Sequence, residues 1–295
     1  MDINFEYYKI FYYVAKYQNI TKAAAALGSS QPNVTRVMKL LENQLDCRLF
    51  LRGARGVRLT EEGEKLYYHV KIAYRHLWNA QEEICSREET GRGTVEIGAT
   101  ETALHLYLLD FLQDFKASYP KIRIKIHNHA TPEIVKSLIG GNLDAAVLTA
   151  PFEIPKSFQV KKLMDFQEIL VGGTQYVALG EKKQKLEQVM EYPWIGLGKG
   201  TATYEFYKEF FLRHHMDMEL AMEVATSALM IPLIQNNFGI GFVPKTLAEP
   251  FIQRKKLIPI HLDCEVLVRE IGAVAACVQD RSRAADIFYQ FLENR

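Results

Sequence analysis

The chain has 295 residues, 48% of them hydrophobic and 24% charged, with a formal net charge of +1 at pH 7. That length holds two or more domains with cores of their own, and the composition excludes a disordered tail, a collagen-like repeat and a mucin-like stalk. No stretch reaches the roughly 18 apolar residues that a membrane span needs.

The start, Met1-Asp2-Ile3-Asn4-Phe5-Glu6, lacks the basic region and apolar run of a signal peptide, so a cytoplasmic location and no membrane partner are expected. Cys47, Cys85, Cys264 and Cys277 are widely spaced with no CxxC pair, which signals neither a zinc knuckle nor a disulfide framework. The small net charge hides an asymmetry. Residues 1–60 carry nine Lys or Arg against four Asp or Glu, whereas residues 61–89 carry four against seven. A basic module of this kind suits phosphate neutralisation.

Phe5, Tyr8, Phe11, Tyr12 and Ala15 recur at helical steps and predict one buried face. Asn19-Ile20 ends that helix, and Thr21 is the expected cap of the alanine-rich helix Lys22 to Leu27. Gly28-Ser29 turns the chain. Ser30 then caps a helix from Gln31 to Leu45, with Pro32 in its first turn and Val34, Val37, Leu41 and Leu45 inward. Two helices, a tight turn and an exposed polar tip make a helix-turn-helix arrangement. A helix tip fits the major groove. There Gln31 and Asn33 suit adenine, Arg36 a guanine edge or a phosphate, and Thr35 a phosphate or a thymine methyl.

Leu49-Phe50-Leu51 and Val57-Arg58-Leu59 flank Arg52-Gly53-Ala54-Arg55-Gly56. This reads as a basic hairpin, or wing, with an ordinary surface turn as the alternative. Thr60 caps a long helix running to about Arg87. On it Leu66, Val70, Ala73, Leu77, Ala80 and Ile84 alternate at coiled-coil spacing. Dimerisation is the expected use of that stripe; packing on its own domain is the alternative.

Thr90-Gly91-Arg92-Gly93 reads as a hinge. Strand Thr94–Ala99, helix Thr100–Tyr119, strand Ile122–Ile126, helix Ile134–Ile139 and strand Leu143–Leu148 predict a mostly parallel α/β sheet. A second α/β unit follows from Leu163 to His261, with Ile169-Leu170-Val171, Trp194 to Leu197, helix Tyr204 to Arg213, Leu220 to Val224, helix Ser227 to Asn236 and Gly239 to Pro244. Cys264 to Val268 is a further strand candidate, and Arg283 to Leu292 a final helix. Thr100, Thr102, Thr131, Thr203 and Thr226 stand at strand ends or helix starts, where hydroxyls beside free N–H groups receive a carboxylate or other anion. Glu101, if it faces the cleft, is unhelpful to an anion, which leaves a polar neutral or amine-bearing ligand as the alternative. The pairs His127/His129 and His214/His215 lack a third metal ligand, no phosphate loop or nucleophile elbow appears, and no metal or cofactor is expected.

The ordered run from Phe11 to Gly63 resembles the LysR-type transcriptional regulators. It comprises the aromatic helix, Thr21-Lys22-Ala23-Ala24, Ser30-Gln31-Pro32-Asn33-Val34-Thr35, Leu40-Leu41-Glu42, Leu49-Phe50, Arg52 and Gly56-Val57-Arg58-Leu59-Thr60. The resemblance implies an α+β multidomain fold: a winged helix-turn-helix over 1–60, a dimerisation helix over 61–89, and a two-lobed α/β periplasmic-binding-protein-like sensor over 90–295. Lobe I is placed at 90–162 and 268–295, and lobe II at 163–267. Also implied are DNA contacts from Gln31, Pro32, Thr35, Arg36, Arg52 and Arg55, and a small-molecule effector, anionic or polar, at Thr100, Thr102, Thr131, Thr203 and Thr226. A homodimer or homotetramer on double-stranded operator DNA, with RNA polymerase as partner of an activator, completes the expectation. Two rivals stand beside it: an effector-independent architectural DNA binder, and a substrate-binding enzyme joined to a DNA-binding module.

Overall fold

A computed structural model describes residues 3–53, 56–85, 93–266, 268–276 and 281–295. Arg55, Arg87, most of the hinge (Thr90, Gly91, Arg92) and Cys277 lie outside the described residues, as do the side chains of Arg52, Ile84 and Cys85. The chain divides into two compact units, Met1–Glu88 and Glu89–Arg295.

The first unit runs α1 (Phe5–Tyr17), α2 (Ile20–Ala26), α3 (Gln31–Leu45), β1 (Phe50–Gly53), β2 (Gly56–Leu59) and α4 (Glu61–Cys85). Its core gathers Ile10, Phe11 and Val14 from α1, Ala23 and Ala24 from α2, and Val34, Val37, Met38 and Leu41 from α3, closed by Leu49, Val57 and Val70. Each large side chain sealed this way contributes about 1.5–3 kcal/mol. The buried face of α1 is therefore rotated from the expected one. Ile10 and Val14 join Phe11 and Ala15 in it, while Phe5 is 59% exposed. Phe11 and Ala15 lie inward as expected and Tyr8 and Tyr12 pack partly buried at the margin, but the aliphatic Ile10 and Val14 take inward positions that the aromatic spacing does not mark.

The cap of α2 also differs. Asn19, not Thr21, accepts from Lys22 N at 3.0 Å, so the helix starts earlier. Ser30 caps α3 as expected, with Pro32 in its first turn. Thr60 Oγ1 accepts from Gly63 N (3.0 Å) and donates to the Arg48 carbonyl (2.6 Å), which ties the start of α4 to the segment before β1. Two glycines are required by space. A Cβ on Gly63 would collide with the Leu49 carbonyl oxygen, and one on Gly56, at φ 137°, with that of Gln18.

The second unit opens with β3 (Gly93–Ala99), α5 (Glu101–Ala103), a π-helical turn (Leu104–Leu108) and α6 (Leu109–Ser118), the three helical pieces being continuous. β4 (Ile122–Asn128), α7 (Thr131–Ile139) and β5 (Ala145–Thr149) follow. β4 and β5 flank β3 in parallel. β6 (Phe158–Gly172) then leaves this lobe for a second one built from α8 (Val177–Gly180), α9 (Leu186–Val189), β7 (Ile195–Leu197), α10 (Ala202–Arg213) and β8 (Met222–Val224). A 3-10 turn (Ser227–Leu229) leads to α11 (Met230–Gln235), β9 (Ile240–Pro244), α12 (Lys245–Gln253) and β10 (Ile258–Ile260). β11 (Val268–Ala276) returns to the first lobe, and α13 (Arg283–Glu293) closes it.

The first half of β6 pairs antiparallel with β11, and its second half with β9 and β10. β11 in turn pairs antiparallel with β5. Two neighbouring strands thus carry both crossings between the lobes. The mostly parallel sheet foreseen from the sequence holds for β4-β3-β5 and for β7-β8, but the crossing strands are antiparallel. Residues 264–266 form no strand; β10 lies before them and β11 after. The first lobe is packed around Phe111, Phe115 and Phe288, and the second partly around Trp194, Phe211 and Phe242.

Candidate functional site

Two places gather the residues singled out in the sequence. In the first unit, Gln31, Pro32, Asn33 and Arg36 are exposed and Thr35 is partly covered, while Val34, Val37 and Met38 beside them are buried. The tip is pre-arranged. Asn33 Nδ2 donates to Ser29 Oγ (3.1 Å), and Arg36 Nη2 donates to Asn33 Oδ1 (3.1 Å). Lys39, Arg48 and Arg58 are exposed in the same unit. Glu42 fixes α3 against the hairpin, its Oε1 accepting from Leu49 N (2.7 Å) and Phe50 N (3.2 Å). The sequence showed Glu42 only as part of a motif, because its partners lie beyond the end of its own helix. β1 and β2 form the expected hairpin, with Arg52 opposite Val57.

On α4, Leu66 and Val70 pack on the core of their own unit, while Ala73, Leu77 and Ala80 are exposed. Tyr12 stacks on Tyr74 at 4.5 Å and on Tyr67 at 6.0 Å, joining α1 to α4. An apolar groove of about 300 Å³ runs between these helices, bordered by Phe5, Tyr8, Leu66, Val70 and Ala73.

In the second unit, Thr100, Thr102, Thr131, Thr203 and Thr226 line one cavity of about 320 Å³ between the lobes. Such a volume is at the small end of the roughly 300–1,000 Å³ typical of ligand pockets. Thr100 Oγ1 and Thr149 Oγ1 share a hydrogen bond (2.9 Å). Thr102 Oγ1 donates to Ser227 Oγ across the cleft (3.4 Å), linking helix starts of different lobes. Thr201 caps α10, accepting from Tyr204 N at 3.1 Å. By contrast, the residues preceding α5, α7 and the Ser227–Leu229 turn make no side-chain cap bond. Residues at all three starts line the cavity.

The cleft also holds an ion pair that sequence reasoning missed. Arg269 on β11 donates from Nη1 to Glu168 Oε1 on β6 (2.8 Å), and from Nη2 to the Ala150 carbonyl (2.9 Å) and Thr203 Oγ1 (3.1 Å). Both charged residues are 3% exposed. Burial pushes the Glu168 carboxyl above its usual range, against the downward pull of the Arg269 charge and hydrogen bond. The partners stand 101 positions apart and meet only because both crossing strands pass through one point. No local pattern announces them.

Glu101 lies 3.5 Å from His105 and Glu133 3.3 Å from His129, each pair on or beside one helix. His127 reaches Glu96 (3.0 Å), which also accepts from Lys125 (2.6 Å). Burial pushes the Glu96 carboxyl up, but these bonds and charges hold it below its usual value. Among the described residues no three His, Cys, Asp or Glu side chains gather as a metal site, and no helix is long and apolar enough to cross a membrane. Burial raises the Cys47 and Cys264 thiols above their ordinary range, and neighbouring carboxylates add to the rise, which disfavours a reactive thiolate.

Known proteins agree with this architecture along the whole chain. Residues 5–64 match the family model of the bacterial regulatory helix-turn-helix protein, lysR family, and residues 88–295 that of the LysR substrate binding domain. The HTH-type transcriptional regulator YofA of Bacillus velezensis is 30% identical over 84% of this chain and 83% of its own length. HTH-type transcriptional activator IlvY of Haemophilus influenzae is 23% identical over 93% of each chain. Among solved structures, a full-length OxyR variant from Pseudomonas aeruginosa superposes with a TM-score of 0.75 at 17% identity, covering 99% of this chain and 95% of that one. Full-length CbnR complexed with its target DNA gives 0.68 at 18% identity, covering 99% of both. With both of its units matched in order, the chain belongs to the LysR family of helix-turn-helix transcriptional regulators.

Proposed function

We propose that this regulator holds double-stranded operator DNA with the tip of α3, and that a small effector seated among the cleft threonines changes that grip. The observation that carries the reading is the division of α3 into two faces. Gln31, Pro32, Asn33 and Arg36 are exposed on a helix whose other face is locked into the core, so polar groups are presented at no cost in packing. Gln31 and Asn33 read adenine edges, Arg36 a guanine edge or phosphate, and Thr35 the backbone. Arg52 and Arg55 of the hairpin supply further phosphate contacts.

Exposed Ala73, Leu77 and Ala80 on α4, together with Ile84 and the groove beside Leu66 and Val70, serve dimerisation. A dimer sets two α3 tips on a pseudo-palindromic site, and two dimers make a tetramer. Thr100, Thr102, Thr131, Thr203 and Thr226 hold the effector. Its binding alters lobe closure, and the change is passed to the DNA-bound modules and on to RNA polymerase access. Such coupling is reciprocal, so operator DNA must change effector affinity by the same factor. The protein acts in the cytoplasm as a regulator and not as an enzyme.

The test is mapping of genomic binding sites, followed by mobility-shift titration of a recovered site with metabolites of the neighbouring genes. Sequence-specific binding that a metabolite shifts supports the reading. Saturable binding that no metabolite alters supports the architectural alternative instead.

A further inference from the structure

We infer that Arg269 pins the two lobes of the second unit in one resting arrangement, and that it holds the second lobe through the Thr203 hydroxyl. This deepens the lobe movement proposed above and rests on it for any regulatory consequence. The pin itself needs no ligand.

On β6 the boundary between the lobes falls within two residues. Gln167 is the last to pair with β11, and Glu168 is the first to pair with β9. β11 stays with the first lobe, where Ile271–Ala275 pair with β5. Arg269 stands at that boundary and donates to both sides of it. On the first lobe it meets the Ala150 carbonyl (2.9 Å), one residue past β5. On the second it meets Glu168 Oε1 (2.8 Å) and, in the first turn of α10, Thr203 Oγ1 (3.1 Å). Nη2 alone therefore bridges the lobes, giving one hydrogen to Ala150 and the other to Thr203.

The bridge is stiff. A guanidinium is a planar fork, and this one lies 4.8 Å from the ring centroid of Phe206, one helical turn after Thr203. Thr203 and Phe206 thus hold the start of α10 to the edge and the face of one group. α10 moves with its lobe, because Tyr207, Phe210 and Phe211 pack into that lobe's core. Hydrogen bonds keep a narrow range of length, so few lobe arrangements satisfy all three acceptors together. Arg269 and Glu168 are both buried, and solvent does not replace a bond that is lost there. The other side-chain bond across the cleft, Thr102 Oγ1 to Ser227 Oγ, is 3.4 Å long and joins two neutral hydroxyls. Bonds from a charged donor are about twice as strong as neutral ones. The resting arrangement is therefore set at the crossing strands and not at the lip of the cleft.

The test measures lobe separation in the full-length protein without ligand, by pulsed electron spin resonance between labels at Lys136 and Lys199. Both positions are exposed, one on each lobe. The labels sit on cysteines introduced there after the four native cysteines become alanine. Dilution with unlabelled chain confines the reading to distances within one chain. Thr203→Val removes the hydroxyl but leaves Arg269 and Glu168 paired, so no buried charge is stranded. It is expected to shift or split the distance distribution, raising the share of wider separations about tenfold or more relative to the resting one. Thr203→Ser keeps the hydroxyl and is expected to give the wild-type distribution, as is Ser227→Ala. An unchanged distribution in Thr203→Val, a serine variant that behaves like the valine, or a larger shift from Ser227→Ala overturns the assignment. If the cysteine-free chain does not fold, hydrogen exchange at residues 165–168 and 268–271 of otherwise native chains decides it. Exchange there should quicken in Thr203→Val and in neither of the others. Operator affinity is measured in parallel. A metabolite that shifts it while Thr203→Val leaves the lobes unmoved sinks the pin and keeps the effector reading. Lobes that move, with no metabolite response, do the reverse.

Discussion

The tip of α3 and the cleft of the second unit both carry polar side chains, but under opposite solvation. At the tip, Gln31, Asn33 and Arg36 project from a buried apolar base into water, where an unmet hydrogen bond is met by solvent. In the cleft, Arg269 and Glu168 are 3% exposed and Thr131 5%, so their polar atoms are cut off from bulk solvent and depend on neighbouring groups. Recognition at a convex site is therefore separable from stability. At a concave, dry site it is not.

The sharpest break in that contrast comes from Arg269→Met, which leaves Glu168 buried without its cation. A loss of about 3–5 kcal/mol is expected near neutral pH. The pH dependence has a definite sign. The folded carboxyl already sits above its usual value, so the folded state holds the proton more tightly than the unfolded one. Stability from this group is therefore greatest in acid and is lost as pH rises from the unfolded pKa through the folded one. Without Arg269 the downward pull vanishes, and the melting-temperature deficit should grow as pH rises through the interval above the ordinary carboxylate range. A deficit that is flat over that interval contradicts the account.

Leu41→Ala tests the base beneath the tip. Leu41 is fully buried in the first unit, and the cavity should cost about 2–5 kcal/mol in chemical denaturation. Operator binding should fail only under conditions in which that unit unfolds. Arg36→Ala probes the tip itself. It removes a donor to Asn33 and the proposed groove contact, and should weaken operator binding by about 1–3 kcal/mol with the melting temperature and the oligomeric state unchanged. Unchanged affinity and sequence preference would remove Arg36 from the reading surface. The smallest effect is expected from Thr201→Ala, which deletes the α10 cap at about 1 kcal/mol and should register in thermal melts more than in DNA binding.

What the sequence revealed follows from how local the cause is. The span of α3 was legible because Ser30, Pro32 and the spacing of Val34, Val37 and Leu41 act within a few residues. The hairpin and the succession β3, helix, β4, α7, β5 were legible for the same reason, as was the position of the threonines at helix starts. Asn19 displaced Thr21 as a cap by a choice between two good candidates that only the path of the turn decides. Phe5 borders an open groove instead of the core, a difference its spacing does not encode, because an aromatic at helical steps reads alike in either place. Arg269 and Glu168 were out of reach altogether, since their pairing is a property of two strands crossing rather than of either strand.

The π-helical turn at Leu104–Leu108 carries a consequence for insertions and deletions. Removing one residue from an α-helix ordinarily rotates everything beyond it by about 100°. A π turn already contains one residue more than an α turn. Shortening this segment by one would return it to regular winding, with Thr102 still toward the cavity and Phe111 still in the core. The first helix of the second unit is thus built to absorb the loss of one residue within this turn.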